Sequence, residues 1–228
     1  MATASAGGVV LTVLSALVPP HAVLHGWLLP PALLLLAYWT SGTWFVAPMS
    51  RVERQLQSFD RVLAIREWSA ILPRWIAECL ELAYAGIYAL IPIALVIHLA
   101  FSRSPDTDRF WTVILVTDFV CFAALPWVQT RPPRALEPGE PWIAACRRFN
   151  LRLLDSTSIQ VNTFPSGHAA EALAAALLVS DAPGGLLGWM IVNALAVSAG
   201  AVFGRYHYAA DAIAGWLVAV MVWFLLNG

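Results

Sequence analysis

From Leu82 to Phe101 the chain runs for twenty residues without a charged side chain. A helix of roughly 20 apolar residues crosses the hydrocarbon of a bilayer, and it satisfies its own backbone polar groups where no water reaches. The same reading places further spans at Trp27–Val46, Phe110–Val128, Ala169 to about Ser180, Leu186–Phe203 and Ala209–Leu226. Gly8–Val18 is apolar but short and ends in Pro19-Pro20, which suits a re-entrant piece or an extension of the first span better than a seventh span. A soluble domain in which 60% of residues are hydrophobic and 12% charged could not hide its apolar surface. The eleven tryptophans suit the two interfacial belts. The expected fold is an all-α integral membrane protein, a bundle of six transmembrane helices forming a single domain over residues 1–228.

Two connections are long. Residues 51–77 carry Val52, Leu56, Phe59, Leu63 and Ile65 close to one helical face, with Arg51, Arg54, Arg61 and Glu67 elsewhere. That pattern predicts an amphipathic helix lying on the membrane surface between the first two spans. It divides an N-terminal part, residues 1–50, from a helical core, residues 78–228. The second connection, Gln129 to Asn162, contains TRPPRALEPGEP and five arginines. A loop so long and charged in a compact membrane protein is generally functional. Alternating spans put both connections, the start of the fourth span and the start of the sixth on one membrane face. Three segments therefore meet there: the RPPR loop, FPSGH and GRYHYAAD.

Each segment carries groups suited to phosphoryl chemistry. His207 and Asp211 stand i, i+4, so they share a helix face. A carboxylate holding one imidazole N–H leaves the other nitrogen directed as a nucleophile or base. In Pro165-Ser166-Gly167-His168, Ser166 is placed to cap a helix and Gly167 lets a backbone N–H approach an anion. His168 then stands where a proton can pass to a departing oxygen. Arg131 and Arg134 flank two stiffening prolines, a spacing that suits a phosphate clamp. Each piece also has a plain structural reading: a helix cap, an interfacial histidine or a headgroup anchor. Their convergence at one membrane face favours phosphoryl transfer through a phosphohistidine.

These residues resemble the type 2 phosphatidic acid phosphatase superfamily, which includes the vanadium haloperoxidases. Its signature is K-x6-R-P, then P-S-G-H, then S-R-x5-H-x3-D. PSGH is intact at Pro165–His168, the end of the third part at His207 and Asp211, and the R-P of the first at Arg131-Pro132. The resemblance runs from about Phe110 to the C-terminus. It implies that His207 is the nucleophile, Asp211 its orienter and His168 the acid for the leaving alcohol. Ser166, Gly167 and Arg131 would hold the phosphate, with no metal and no cofactor. Two parts depart from the pattern: the lysine falls on Ala124 in a chain without lysine, and S-R falls on Gly200-Ala201. Arg134 is expected to replace the first charge. Arg205, four residues beyond Ala201, is expected to replace the second if the helix continues. RPPR with GRYHYAAD is also similar to the divergent branch containing inositol-phosphorylceramide synthases.

The leading expectation is a lipid phosphatase acting on a polyprenyl, diacylglycerol-type or sphingoid phosphate or diphosphate. A phosphotransferase moving a headgroup to another lipid or alcohol is the second, and a non-catalytic lipid-binding or transport protein the third. The partners are then a lipid phosphate and the bilayer; a net charge of −1 without a basic tract argues against nucleic acid. Cys79, Cys121 and Cys146 lack zinc or disulfide spacing, and the first twenty residues lack the positive start of a signal peptide. Asp118, Glu78 and Glu81 read mainly as helix-to-helix hydrogen bonding, with proton relay or interface placement as alternatives; Glu171, one turn after His168, reads equally as tuning that histidine or contacting the headgroup and as packing. Loop arginines crowd the active face, which argues for the cytoplasm. The resemblance to bacterial relatives and a count of six spans argue for the extracytoplasmic face of the cell membrane, which is the expectation adopted.

Overall fold

The computed structural model describes residues 23–137 and 139–227. Gly8–Val18 lies outside the described residues. The described chain is helical, with one isolated antiparallel bridge between Thr130 and Asn162. A π-type turn, Leu24–Leu28, leads into α1, Leu29–Gly42; then come α2, Ser50–Val62, and α3, Ile65–Ile71. The next pair is α4, Arg74–Ala85, and α5, Ile87–Phe101; after them α6 covers Thr107–Ala123 and α7 Pro133–Leu136. The remainder is α8, Ala145–Thr157, α9, Gly167–Leu178, α10, Gly184–Phe203, and α11, Ala209–Asn227.

Among the described residues three helical stretches are long and apolar enough to cross a membrane: Arg74–Phe101, Gly184–Phe203 and Ala209–Leu226. They mark an integral membrane protein. The other expected spans are shorter as helices. Helix α6 ends at Ala123 rather than Val128, and α9 has twelve residues. The outer surfaces of α5, α10 and α11 expose Val96, Val192, Leu217, Phe224 and Leu225. Side chains of that kind are stable facing lipid rather than water.

The core forms around α9. Its sequence, GHAAEALAAALL, buries Ala169, Ala170, Ala172, Ala174, Ala175 and Ala176, and it packs against α5, α6, α10 and α11. Small side chains let helices approach closely where lipid supplies no hydrophobic drive. Glycine extends the principle at two crossings. A Cβ at Gly215 of α11 would lie 2.5 Å from the Ser166 carbonyl, and one at Gly200 of α10 would lie 2.4 Å from that of Leu80. Larger residues there would push α11 and α10 away from the segments that carry the site.

The expected amphipathic helix is interrupted. Ala64 adopts a left-handed φ of 52°, dividing the segment into α2 and α3. The buried face of α2 is also not the apolar one: Glu53, Leu56 and Asp60 are buried, while Phe59, Val62 and Leu63 are exposed. The reason is that both carboxylates find partners on the loops they cover, described below.

The long connection is tied shut at its ends. Asn162 N–H donates to the Thr130 carbonyl at 2.9 Å, and its side-chain amide donates to Thr130 Oγ1 at 3.0 Å. Residues thirty-two positions apart are thereby joined, which brings the RPPR segment beside FPSGH. Within the loop, α8 docks on α4 because the Glu78 carboxylate accepts from the N–H groups of Ala145 and Cys146. These are donors that the start of α8 cannot satisfy internally.

Candidate active site

Helix α11 begins just after His207, and Asp211 sits in its first turn. The His207 Nδ1 lies 3.4 Å from Asp211 Oδ2, and that same oxygen accepts from the Tyr208 N–H at 2.9 Å. Asp211 is fully buried, so its carboxylate has few competing partners. An imidazole whose Nδ1 faces a carboxylate carries its proton there, leaving Nε2 as the free lone pair. The Ser166 N–H donates to the Asp211 carbonyl at 3.0 Å, joining the PSGH turn to α11.

Ser166 caps α9: its buried hydroxyl accepts from the Ala169 N–H. Gly167 and His168 follow and line a cavity of about 530 Å³ together with His207 and Arg134. The two imidazoles stand 6.4 Å apart by ring centroid. His168 stacks on Tyr84, with centroids 5.2 Å apart, and meets the edge of Tyr88 at 5.8 Å. Tyr84 in turn stacks on Tyr206 at 4.3 Å, and the Arg134 guanidinium lies 5.6 Å from the centre of the Tyr206 ring. The histidine that faces His207 and the arginine at the cavity edge are therefore both held by one aromatic stack.

The other two arginines lie elsewhere. Arg131 turns to α2, where its backbone N–H, Nε and Nη2 all reach the Glu53 carboxylate at 2.9–3.0 Å. That hydrogen bonding holds the Glu53 carboxyl below its ordinary range. Arg131 itself is exposed and does not line the cavity; its carbonyl accepts from the Tyr208 hydroxyl at 3.0 Å. Arg205 departs from the helical continuation expected of it. Helix α10 ends at Phe203, and Arg205 takes a left-handed φ of 60°. Its side chain turns to Glu137 and the Gly139 carbonyl, beside a separate recess of about 260 Å³ that Arg61 and Arg66 also line. Ala201, where the signature places an arginine, is fully buried among Tyr84, Leu154 and Tyr206, and an arginine would not fit that packing.

Of the eight residues singled out from sequence, His207, His168, Gly167 and Arg134 line one cavity, with Asp211 behind His207 and Ser166 capping the helix that starts there. The sequence reading underrated the support. Buried Glu81 accepts from the Tyr206 hydroxyl, the Asn150 amide, the Trp142 indole and the Arg147 guanidinium. Arg147, also buried, donates to the Gly204 carbonyl just before the segment that carries His207. A carboxylate at the mouth of a span and an arginine within an otherwise amphipathic loop helix were the available signals. Among the described residues no group of three or more His, Cys, Asp or Glu side chains is arranged to hold a metal ion.

The sequence model of the PAP2 superfamily matches residues 47–225. No curated protein and no solved structure matches the chain.

Proposed function

Because the chain belongs to the PAP2 superfamily, whose members are generally lipid phosphatases and phosphotransferases and typically metal-independent, we propose that it is a membrane lipid phosphatase working through a phosphohistidine on His207. The observation that carries this reading is the pair of imidazoles facing one cavity, 6.4 Å apart, with a buried carboxylate behind one of them. The substrate is a lipid phosphate or diphosphate, bound with its phosphate between the histidines and its chain among Leu34, Leu35, Ile91 and Pro92, which line the same cavity.

His207 Nε2 attacks phosphorus as the P–O bond to the lipid breaks, and His168 gives its proton to the departing alcohol. His168, now neutral, takes a proton from water. The water oxygen displaces His207 from phosphorus, releasing inorganic phosphate. Asp211 holds the imidazolium that His207 becomes. Arg134 and the N-terminus of α9 face the negative charge on the phosphoryl oxygens. On this reading Arg134 takes the role that the signature gives its first-motif cation. The site lies in a six-span bundle, α1, α6 and α9 crossing with the three longer rods, and it faces the extracytoplasmic side.

A second reading, phosphotransfer, is favoured by the apolar lining on α1 and α5. A lipid alcohol can reach the phosphohistidine along that lining as readily as water does. Purified protein in detergent with chelator, given a panel of lipid phosphates beside His207→Ala, tests both. Phosphate release by the native chain and none by the variant supports the phosphatase. Diversion of phosphate onto an added alcohol supports the transferase. Failure to release phosphate, transfer it or bind vanadate would leave a non-catalytic lipid-binding protein.

A further inference from the structure

Two carboxylic acids in the cavity play no part in the phosphohistidine mechanism. Asp118 lies on α6 and is 2% exposed, yet it lines the cavity, and its Oδ2 has no hydrogen-bond partner among the described residues. Its other oxygen lies 2.9 Å from where a Cβ on Gly167 would stand, so the carboxyl lies against the PSGH turn. Glu171 lies one helical turn beyond Gly167 and His168 and lines the same cavity. Among the described residues neither carboxyl has an ion-pair partner. Thr117, the neighbouring residue on α6, spends its hydroxyl on the Val113 carbonyl.

A buried carboxyl without a partner is unfavourable by several kcal/mol in an apolar setting, by rough estimate. Such groups persist where something binds to them. An ionised carboxyl is repelled by a phosphate, which brings mainly acceptors and negative charge. A hydrogen-bond donor satisfies the orphaned Asp118 oxygen, with the half-buried Glu171 lining the same cavity, and their place beside Gly167 and His168 puts that donor within a few atoms of the phosphate ester.

We propose that Asp118 and Glu171 form a specificity subsite for a hydroxyl or ammonium group next to the phosphate of the lipid substrate. The inference rests on the phosphatase reading above and narrows its substrate class. A polyprenyl phosphate offers only hydrocarbon at that point and a diacylglycerol phosphate only ester oxygens. Amino-alcohol and hydroxy-lipid phosphates offer N–H or O–H. The preferred substrate is therefore a lipid phosphate with a free hydroxyl or ammonium beside the phosphate-bearing carbon.

The test compares kcat/KM in matched micelles for a long-chain 2-amino-alcohol phosphate, a monoacylglycerol phosphate with its free hydroxyl, a diacylglycerol phosphate and a polyprenyl phosphate. The ratio of donor-bearing to donor-free substrate is the readout, because it does not depend on how much of a preparation is folded. The native chain is expected to favour the donor-bearing pair at least ten-fold. Asp118→Asn and Glu171→Gln are each expected to collapse that ratio several-fold. An unchanged ratio in both variants, or a native preference for the polyprenyl phosphate, overturns the proposal while leaving the phosphatase reading intact. If no lipid releases phosphate, quenching of tryptophan fluorescence by a long-chain 2-amino-1,3-diol decides instead. Binding by the native chain that weakens ten-fold in Glu171→Gln upholds the subsite, and equal binding by both refutes it.

Discussion

The carboxylate of Glu81, on α4, accepts a 2.6 Å hydrogen bond from the hydroxyl of Tyr206, which lies immediately before His207 in the chain. Four elements converge on this contact. Arg147 and Asn150 bring α8, Trp142 brings the long loop, and Tyr206 brings the α10–α11 turn. Glu81 is fully buried and Arg147 nearly so, so removing one partner strands the other charge away from water. Breaking a buried pair of this kind is expected to destabilise by about 3–5 kcal/mol. Arg147→Ala should therefore lower the melting temperature in detergent markedly. Arg148→Ala, one residue along on an exposed position, should change it little. Equal melting temperatures would show that the network does not hold the loop.

The proposed mechanism gives the two histidines different roles, and leaving groups separate them. His168→Ala should slow release from a lipid alcohol, whose oxygen needs a proton, by about 10²–10⁴-fold. It should slow release from p-nitrophenyl phosphate far less, because nitrophenolate departs unprotonated. Asp211→Asn, which still fills the space but no longer holds the imidazolium, should slow both substrates alike. Rapid alkaline quenching of the His168 variant, which preserves the acid-labile P–N bond, should trap less phosphohistidine from the lipid than from the nitrophenyl ester. Equal slowing of the two esters in His168→Ala would remove it as the general acid.

Arg134, Arg131 and Arg205 can be ranked by where their side chains point. Arg134 lines the cavity, so Arg134→Ala should lower kcat by about 10²–10³-fold, the usual loss when one charge-stabilising donor is removed. Arg131→Ala releases Glu53 and loosens α2, and is expected to act mainly through stability. Arg205→Ala opens the separate recess and should leave kcat within a few-fold of native. A larger loss for Arg131 or Arg205 than for Arg134 would reverse this assignment.

The contrast among these arginines shows what was legible beforehand. Local spacing located the PSGH turn and the His207–Asp211 pair, because a cap and an i, i+4 pair are properties of one short segment. The length of apolar runs likewise located the three rods long enough to cross a membrane, while the other three expected spans form shorter helices. The direction of each arginine depended on partners far along the chain. Arg131 is claimed by Glu53, 78 residues earlier, and Arg205 is turned aside by a positive φ that its residue type does not favour. The closure of the long loop through Thr130 and Asn162, and the break at Ala64, depend on tertiary pairing in the same way. The polar inner face of α2 was hidden because periodicity reports where apolar residues lie, and here the carboxylates are drawn inward by hydrogen bonds.

One of those inward carboxylates should make stability depend on pH. Asp60 is buried, and its Oδ1 accepts from the Ala209 N–H at the start of α11 at 2.9 Å. Burial pushes its pKa up from an ordinary 3.8 to about 7, with Asp211 and Glu137 adding repulsion against the partial relief given by that hydrogen bond. The folded chain then keeps a proton that the unfolded chain has already released, so stability falls as pH rises between about 4 and about 7. Below this window both states hold the proton and above it neither does, so the contribution is flat on either side. Asp60→Asn keeps an oxygen for the Ala209 N–H but cannot ionise. Melting in detergent across pH 4 to pH 8 should show a downward slope in the native chain that the variant lacks, with the variant the more stable at pH 8. A slope that survives the substitution would assign the titration to another group, and a native slope rising with pH would contradict the sign derived for Asp60.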